Sequence, residues 1–124
     1  PPPHVRRPLP AAFKVYLRQG PTDMRWGIDR LYWEIKREMG GNPYDGNLFL
    51  FFSRRRDRVK ILHWDSGGFV LYYKRLEKGR FQFRGLEERP VLDAMELSML
   101  LSGIDVVKVK RPDLWTPGAG RKTA

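Results

Sequence analysis

The side chains with the greatest chemical reach in this sequence lie between Ser53 and Arg84. They are Arg54, Arg55, Arg56, Arg58, Lys60, Lys74, Arg75, Lys78, Arg80 and Arg84, interleaved with Asp57, His63, Asp65 and Glu77. Two chemistries compete for them. Carboxylates and a histidine converging on a divalent cation would make a metal-dependent phosphodiesterase. Guanidinium forks set among aromatic rings would instead hold phosphate oxygens in pairs and stack on exposed bases.

The first chemistry is poorly served. His63 and Asp65 are two apart and would share a strand face, with Asp23 and Asp29 near a helix start as further carboxylates. A lone His-x-Asp is a weak signal, and Asp65 is accounted for by its Asp65-Ser-Gly-Gly68 turn context. Ser53, Ser66, Ser98 and Ser102 stand in no nucleophile motif. Gly67-Gly68 closes a hairpin instead of opening a helix, so it is no phosphate-cradling loop. No catalytic residue, metal site or cofactor is expected, and a nuclease is the least favoured reading.

The second chemistry has the composition behind it. The chain carries 24 basic against 14 acidic residues, a formal charge of +10 and a pI near 10.3. Such an excess favours polyanionic partners: DNA, RNA or an anionic surface. Arg54, Arg55, Arg56, Arg58, Lys60, Lys74, Arg75, Lys78 and Arg80 are the expected nucleic-acid contacts. Trp64, Tyr72 and Tyr73 could stack on bases, although a core role is commoner for them, as it is for Phe49, Phe51, Phe69 and Phe81. Base-specific readout is not indicated, because the first helix mixes Arg30, Lys36 and Arg37 with Glu34 and Glu38 and forms no recognition-helix motif. A protein-interaction surface stays open beside this reading, with the last helix (Met95, Met99, Leu100) and Trp115 docking into a partner's groove.

These side chains need a scaffold. At 124 residues, 41% hydrophobic and 13% aromatic, the chain has the size and apolar content for one folded domain. Pro1 to Pro10 holds five prolines with Arg6 and Arg7 and reads as an extended, flexible lead-in. Phe13 to Arg18 alternates like a strand. Thr22 or Asp23 is expected to cap a helix, whose apolar face is Ile28, Leu31, Tyr32, Ile35 and Met39 and which Gly40 and Gly41 stop. Strands follow at Asn47 to Phe52, Arg58 to Trp64, Phe69 to Arg75 and Arg80 to Arg84, with positive φ expected at Gly79. Asp93 and Glu96 form a capping box for a second helix, Ala94 to Ser102, with Gly103 after its end. The expected fold is α+β: a small antiparallel sheet of about five strands with two packed helices, in the order β-α-β-β-β-β-α. The domain spans 11–105, and 106–124 reads as a basic, largely flexible tail anchored by Trp115.

Register can be read across the central hairpin. A symmetric loop places Trp64 opposite Phe69, Leu62 opposite Leu71, Lys60 opposite Tyr73 and Arg58 opposite Arg75. One face then grades from aromatic to cationic. The opposed arginines call for a counter-anion, which Asp57, Glu77 or a phosphate would supply. At the first helix, Arg25 and Asp29 have the spacing of an i, i+4 pair.

The absence of cysteine excludes disulfides and thiolate metal sites. No apolar run reaches the roughly 18 residues of a membrane helix, and Pro1 to Pro10 has no signal-peptide core. A cytoplasmic protein is the default expectation. The chain opens at Pro1 instead of Met, which leaves room for native residues ahead of it.

Several runs carry a family resemblance: Gly20-Pro-Thr-Asp-Met-Arg25 with Gly27, Leu48-Phe-Leu-Phe51, Arg54-Arg-Arg-Asp-Arg-Val-Lys-Ile-Leu62, Trp64-Asp65, Gly68-Phe69, Tyr73-Lys-Arg-Leu-Glu-Lys-Gly-Arg-Phe81 and Leu97 to Asp105. Together they resemble the small TnpB accessory proteins of IS66-type bacterial insertion sequences, products of the second open reading frame and distinct from the RNA-guided nuclease of the same name. The likeness covers roughly Val15 to Asp105. It departs at Trp26, where a basic residue is common, and at His63, where a second aromatic is common. The resemblance implies a non-catalytic role in transposition beside a separate transposase. DNA and that transposase are then the expected partners.

Overall fold

The computed structural model describes residues 12–86 and 91–104. Its elements are β1 (Ala12–Leu17), α1 (Ile28–Arg37), β2 (Leu48–Phe52), β3 (Arg58–Asp65), β4 (Gly68–Arg75), β5 (Val91–Asp93) and α2 (Ala94–Leu101). The fold is α+β in the expected order. The five strands form one sheet ordered β4-β3-β2-β1-β5. It is mixed where a wholly antiparallel sheet was expected: β1 and β2 run parallel, and the other neighbours are antiparallel. The connection from β1 through α1 to β2 is a crossover, which returns the chain in the same direction.

β2 occupies the centre and all five of its residues are buried. Its run Leu-Phe-Leu-Phe-Phe does not alternate because both of its faces are covered. On one face Leu31 and Ile35 of α1 close over Phe49, Phe51 and Leu62. On the other, Phe81, Leu86 and Leu100 close over Leu48, Leu50, Phe52, Val59 and Ile61. Each such side chain stabilises the fold by roughly 1.5–3 kcal/mol through apolar burial.

The hairpin register is as read from the sequence, from Arg58 opposite Arg75 to Asp65 opposite Gly68. Its turn uses positive φ at both central residues, Ser66 (44°) and Gly67 (90°), which matches the twist of the flanking strands. The capping box is also formed: the Glu96 N–H donates to Asp93 Oδ1 at 2.7 Å, and the Asp93 N–H to Glu96 Oε1 at 3.2 Å. Gly79 and Gly103 have positive φ, 78° and 85°.

Three local expectations are corrected. Arg80 to Arg84 is not a strand. Its alternation places Phe81 and Phe83 against Phe52, with centroids 5.7 and 4.2 Å apart, while the chain crosses the sheet's face as a loop. The fifth strand is the short β5, paired to β1. Neither Thr22 nor Asp23 caps α1, which begins after Gly27 with no side-chain cap. Thr22 is instead buried with its N–H donating to the Phe52 carbonyl at 2.8 Å, and Asp23 turns the loop by accepting from the Arg25 N–H. Arg25 therefore pairs with Asp23, at 2.8 Å, and not with Asp29. The expected lead-in, 1–10, and tail, 106–124, lie outside the described residues.

Candidate nucleic-acid interface

The cations are brought to one end of the sheet by ordinary chain geometry. β2 ends at Phe52 and β3 starts at Arg58, so the Ser53 to Asp57 turn projects from that end, and β4 finishes beside it at Arg75. The turn is closed by the Arg56 N–H donating to the Ser53 carbonyl at 2.9 Å and by Ser53 Oγ donating to Asp57 Oδ1 at 3.1 Å. The chain after β4 folds back onto this turn. The Leu76 N–H donates to the Asp57 carbonyl and the Phe81 N–H to the Arg56 carbonyl, both at 2.7 Å. Two stretches separated in sequence thus become one surface. Arg54, Arg55 and Arg56 sit on the turn, Arg58, Lys74 and Arg75 at the adjoining strand ends, and Lys78, Arg80 and Arg84 on the docked loop.

Most of this charge is not neutralised among the described residues. Among the described residues, Arg54, Arg55, Arg56, Arg58, Lys74, Lys78 and Arg80 have no carboxylate partner. Arg75 pairs with Glu77 at 3.2 Å, but both side chains are more than half exposed, so the bond is weak and exchangeable. Asp57 accepts from Ser53 and leaves Arg58 facing Arg75 without a carboxylate of its own.

Lys60 stands apart from the other expected contacts. It is 8% exposed, its ammonium donates to the Trp26 carbonyl at 2.7 Å, and it lies 5.1 Å from the Tyr73 ring centroid. It ties β3 to the loop ahead of α1. Of the aromatics weighed for stacking, Tyr72 and Tyr73 are each 54% exposed on the edge strand β4. Trp64 packs at the opposite end of the sheet against Tyr44 and Phe69.

Sequence reading missed Arg18, Gln19 and Phe83 at the basic end. With the Ser53 to Arg56 turn they line a groove of about 410 Å³. The signal available was the β-α-β order itself, since loops leaving parallel strands splay at their carboxyl ends. Arg18 is fixed there by bonds to Glu34 Oε2 at 2.6 Å and to the Pro21 carbonyl at 2.6 Å. Glu34 is 3% exposed and also meets Arg30 at 3.3 Å. The Arg18 and Arg30 guanidiniums lie 5.3 and 3.9 Å from the Trp26 ring centroid.

The other chemistries find less. The His63 ring faces the Asn47 carbonyl at 3.4 Å and Asp65 is exposed at the hairpin turn. Among the described residues, no three His, Asp or Glu side chains group as a metal site would require. In α2, Leu100 is fully buried and Met99 packs on the core, which leaves Met95, 66% exposed, of the three residues weighed for docking. Trp115 lies outside the described residues. No described helix is long and apolar enough to cross a membrane.

A small basic α+β domain, with a cluster of cations at one sheet end that lack carboxylate partners among the described residues, is the class that this geometry defines. The chain belongs to the IS66 Orf2-like family, whose profile matches residues 13–111, and is thereby an insertion-sequence accessory protein. It is 39% identical over 93 residues to the uncharacterized protein y4hO of Sinorhizobium fredii (strain NBRC 101917 / NGR234), covering 74% of this chain and 81% of the relative. It is 30% identical over 105 residues to the uncharacterized protein y4jC of the same organism, covering 84% of this chain and 90% of the relative. No solved structure matches.

Proposed function

We propose that this accessory protein binds DNA, alone or within a transposase–DNA assembly, through the basic end of its sheet, and that it does no chemistry itself. The observation that carries the reading is the docking of the Leu76 to Phe81 loop on the arginine turn. It concentrates like charges that have no carboxylate partner among the described residues. Like charges held together destabilise a fold unless an external anion meets them, and phosphate suits guanidinium forks. The surface has no base-reading element, so sequence-tolerant contact with the backbone is expected.

A salt-titrated binding assay with the terminal DNA of the element, with and without transposase, tests this. Five phosphate contacts give a slope of log K against log[salt] of about −4.5. Replacing Arg54, Arg55 and Arg56 together with Ala should remove about three units of that slope. Unchanged affinity in the triple variant overturns the assignment of this patch. A complex with transposase that forms without DNA and survives high salt points to an apolar protein interface instead.

A further inference from the structure

The groove at the basic end lies where a ligand is expected on general grounds. In open sheets, ligands settle beyond the carboxyl ends of adjacent parallel strands, where the outgoing loops part. β1 and β2 are such a pair, and the loops leaving them wall the groove with Arg18 to Pro21 on one side and Ser53, Arg54 and Arg56 on the other. Phe83 completes it, stacked on Phe52 with centroids 4.2 Å apart and planes 17° apart. At about 410 Å³ the space falls within the roughly 300–1,000 Å³ of small-ligand clefts, the scale of one nucleotide.

Arg56 adds a second, independent observation. Its φ is 59°, in the left-handed region where a residue with a long side chain is uncommon. Asparagine or glycine would close the same turn with less strain. Strain of this kind clusters at functional sites, held in place by the surrounding structure, here by the Arg56 N–H donating to Ser53 and its carbonyl accepting from Phe81. Here that side chain sets a guanidinium 5.7 Å from the Phe83 ring centroid, at the mouth of the groove. Aromatic rings and guanidinium planes are the two surfaces on which unpaired bases stack. Arg54 lines the same groove.

We infer that the groove holds one unpaired nucleotide of a DNA strand, its base between Phe83 and the Arg56 guanidinium and its phosphate on Arg54. The basic end therefore prefers single-stranded to duplex DNA. A small outward rotation of the exposed Arg56 side chain admits the base. The inference rests on the DNA-binding reading above and narrows it to a class of strand.

Fluorescence anisotropy of the full chain with a short labelled strand, and with the duplex of the same sequence, tests it. The single strand should bind more tightly. Phe83→Leu keeps an apolar side chain in place and should weaken single-strand binding roughly tenfold, with duplex affinity unchanged. Arg56→Asn should weaken single-strand binding while Tm holds or rises, since asparagine accepts the left-handed backbone. That variant separates loss of contact from loss of folding. Equal affinity for the two forms, with both variants neutral on the single strand, overturns the groove and leaves DNA binding standing. Failure of both forms to bind with a salt dependence overturns the groove and the DNA-binding reading together.

Discussion

At Glu34 a carboxylate sits inside the fold between two arginines, and the loop that leaves β1 hangs on that arrangement. Arg18 holds Glu34 with one arm and the Pro21 carbonyl with another, so removal of the acid frees loop and helix from each other. Breaking a fully enclosed ion pair costs roughly 3–5 kcal/mol. Arg18 and Arg30 retain 22% and 51% exposure, so Glu34→Ala should cost less, about 2 kcal/mol, read as a lower urea midpoint. Asp23 shows the contrasting case of a half-buried acid with a strong local partner. Hydrogen bonds from the Arg25 side chain and backbone lower its pKa from 3.8 to about 2. A depressed carboxylate favours the fold above its ordinary pKa. That contribution is lost as pH falls from about 3.8 towards 2. Asp23→Asn should therefore flatten acid denaturation in that window, and an NMR titration of the Asp23 carboxyl should show the low midpoint directly.

Among the elements, the legible ones were those whose signals are local. The Asp65 to Gly68 turn fixed the register of a whole hairpin, because two positive-φ positions admit only one symmetric closure. Asp93 and Glu96 announced α2 through a reciprocal pair of bonds only three residues apart. Asp93→Ala should cost about 1 kcal/mol and raise amide exchange in the first turn of α2 ahead of the central strands. The elements misread were those in which tertiary packing overrode a local pattern. Arg80 to Arg84 has strand alternation, but its phenylalanines answer to the face of the sheet and not to a neighbouring ladder. β5 is only three residues long and runs straight into a helix cap, so it offers no periodicity to read. Asp23 has a capping residue's chemistry but caps a turn, because Thr22 is held by the end of β2. The basic cluster was legible residue by residue. Its unity was not, since that depends on a loop docking onto a turn 19 to 25 positions earlier. For the same reason Lys60 looked like its neighbours in sequence although its ammonium faces inward.

The whole molecule is asymmetric about its sheet. One end gathers the groove and guanidiniums that mostly lack carboxylate partners among the described residues. The other carries Tyr32, Tyr44, Trp64 and Phe69 as a cluster of contacting rings beside the hairpin tip. The neighbouring Tyr32 side chain holds the pKa of Tyr44, itself about half exposed, above the ordinary tyrosine value. A net charge of +10 on so small a body opposes the association of copies. The two borders of the sheet share this protection unequally. β5 is too short to template a new strand, whereas β4 presents eight residues and an open row of amides and carbonyls. Lys74 and Arg75 act as a fence along the exposed half of that border. Any ligand that cancels their charge also takes the fence down, so solubility should be lowest where added polyanion just balances the protein and should recover on either side of that ratio.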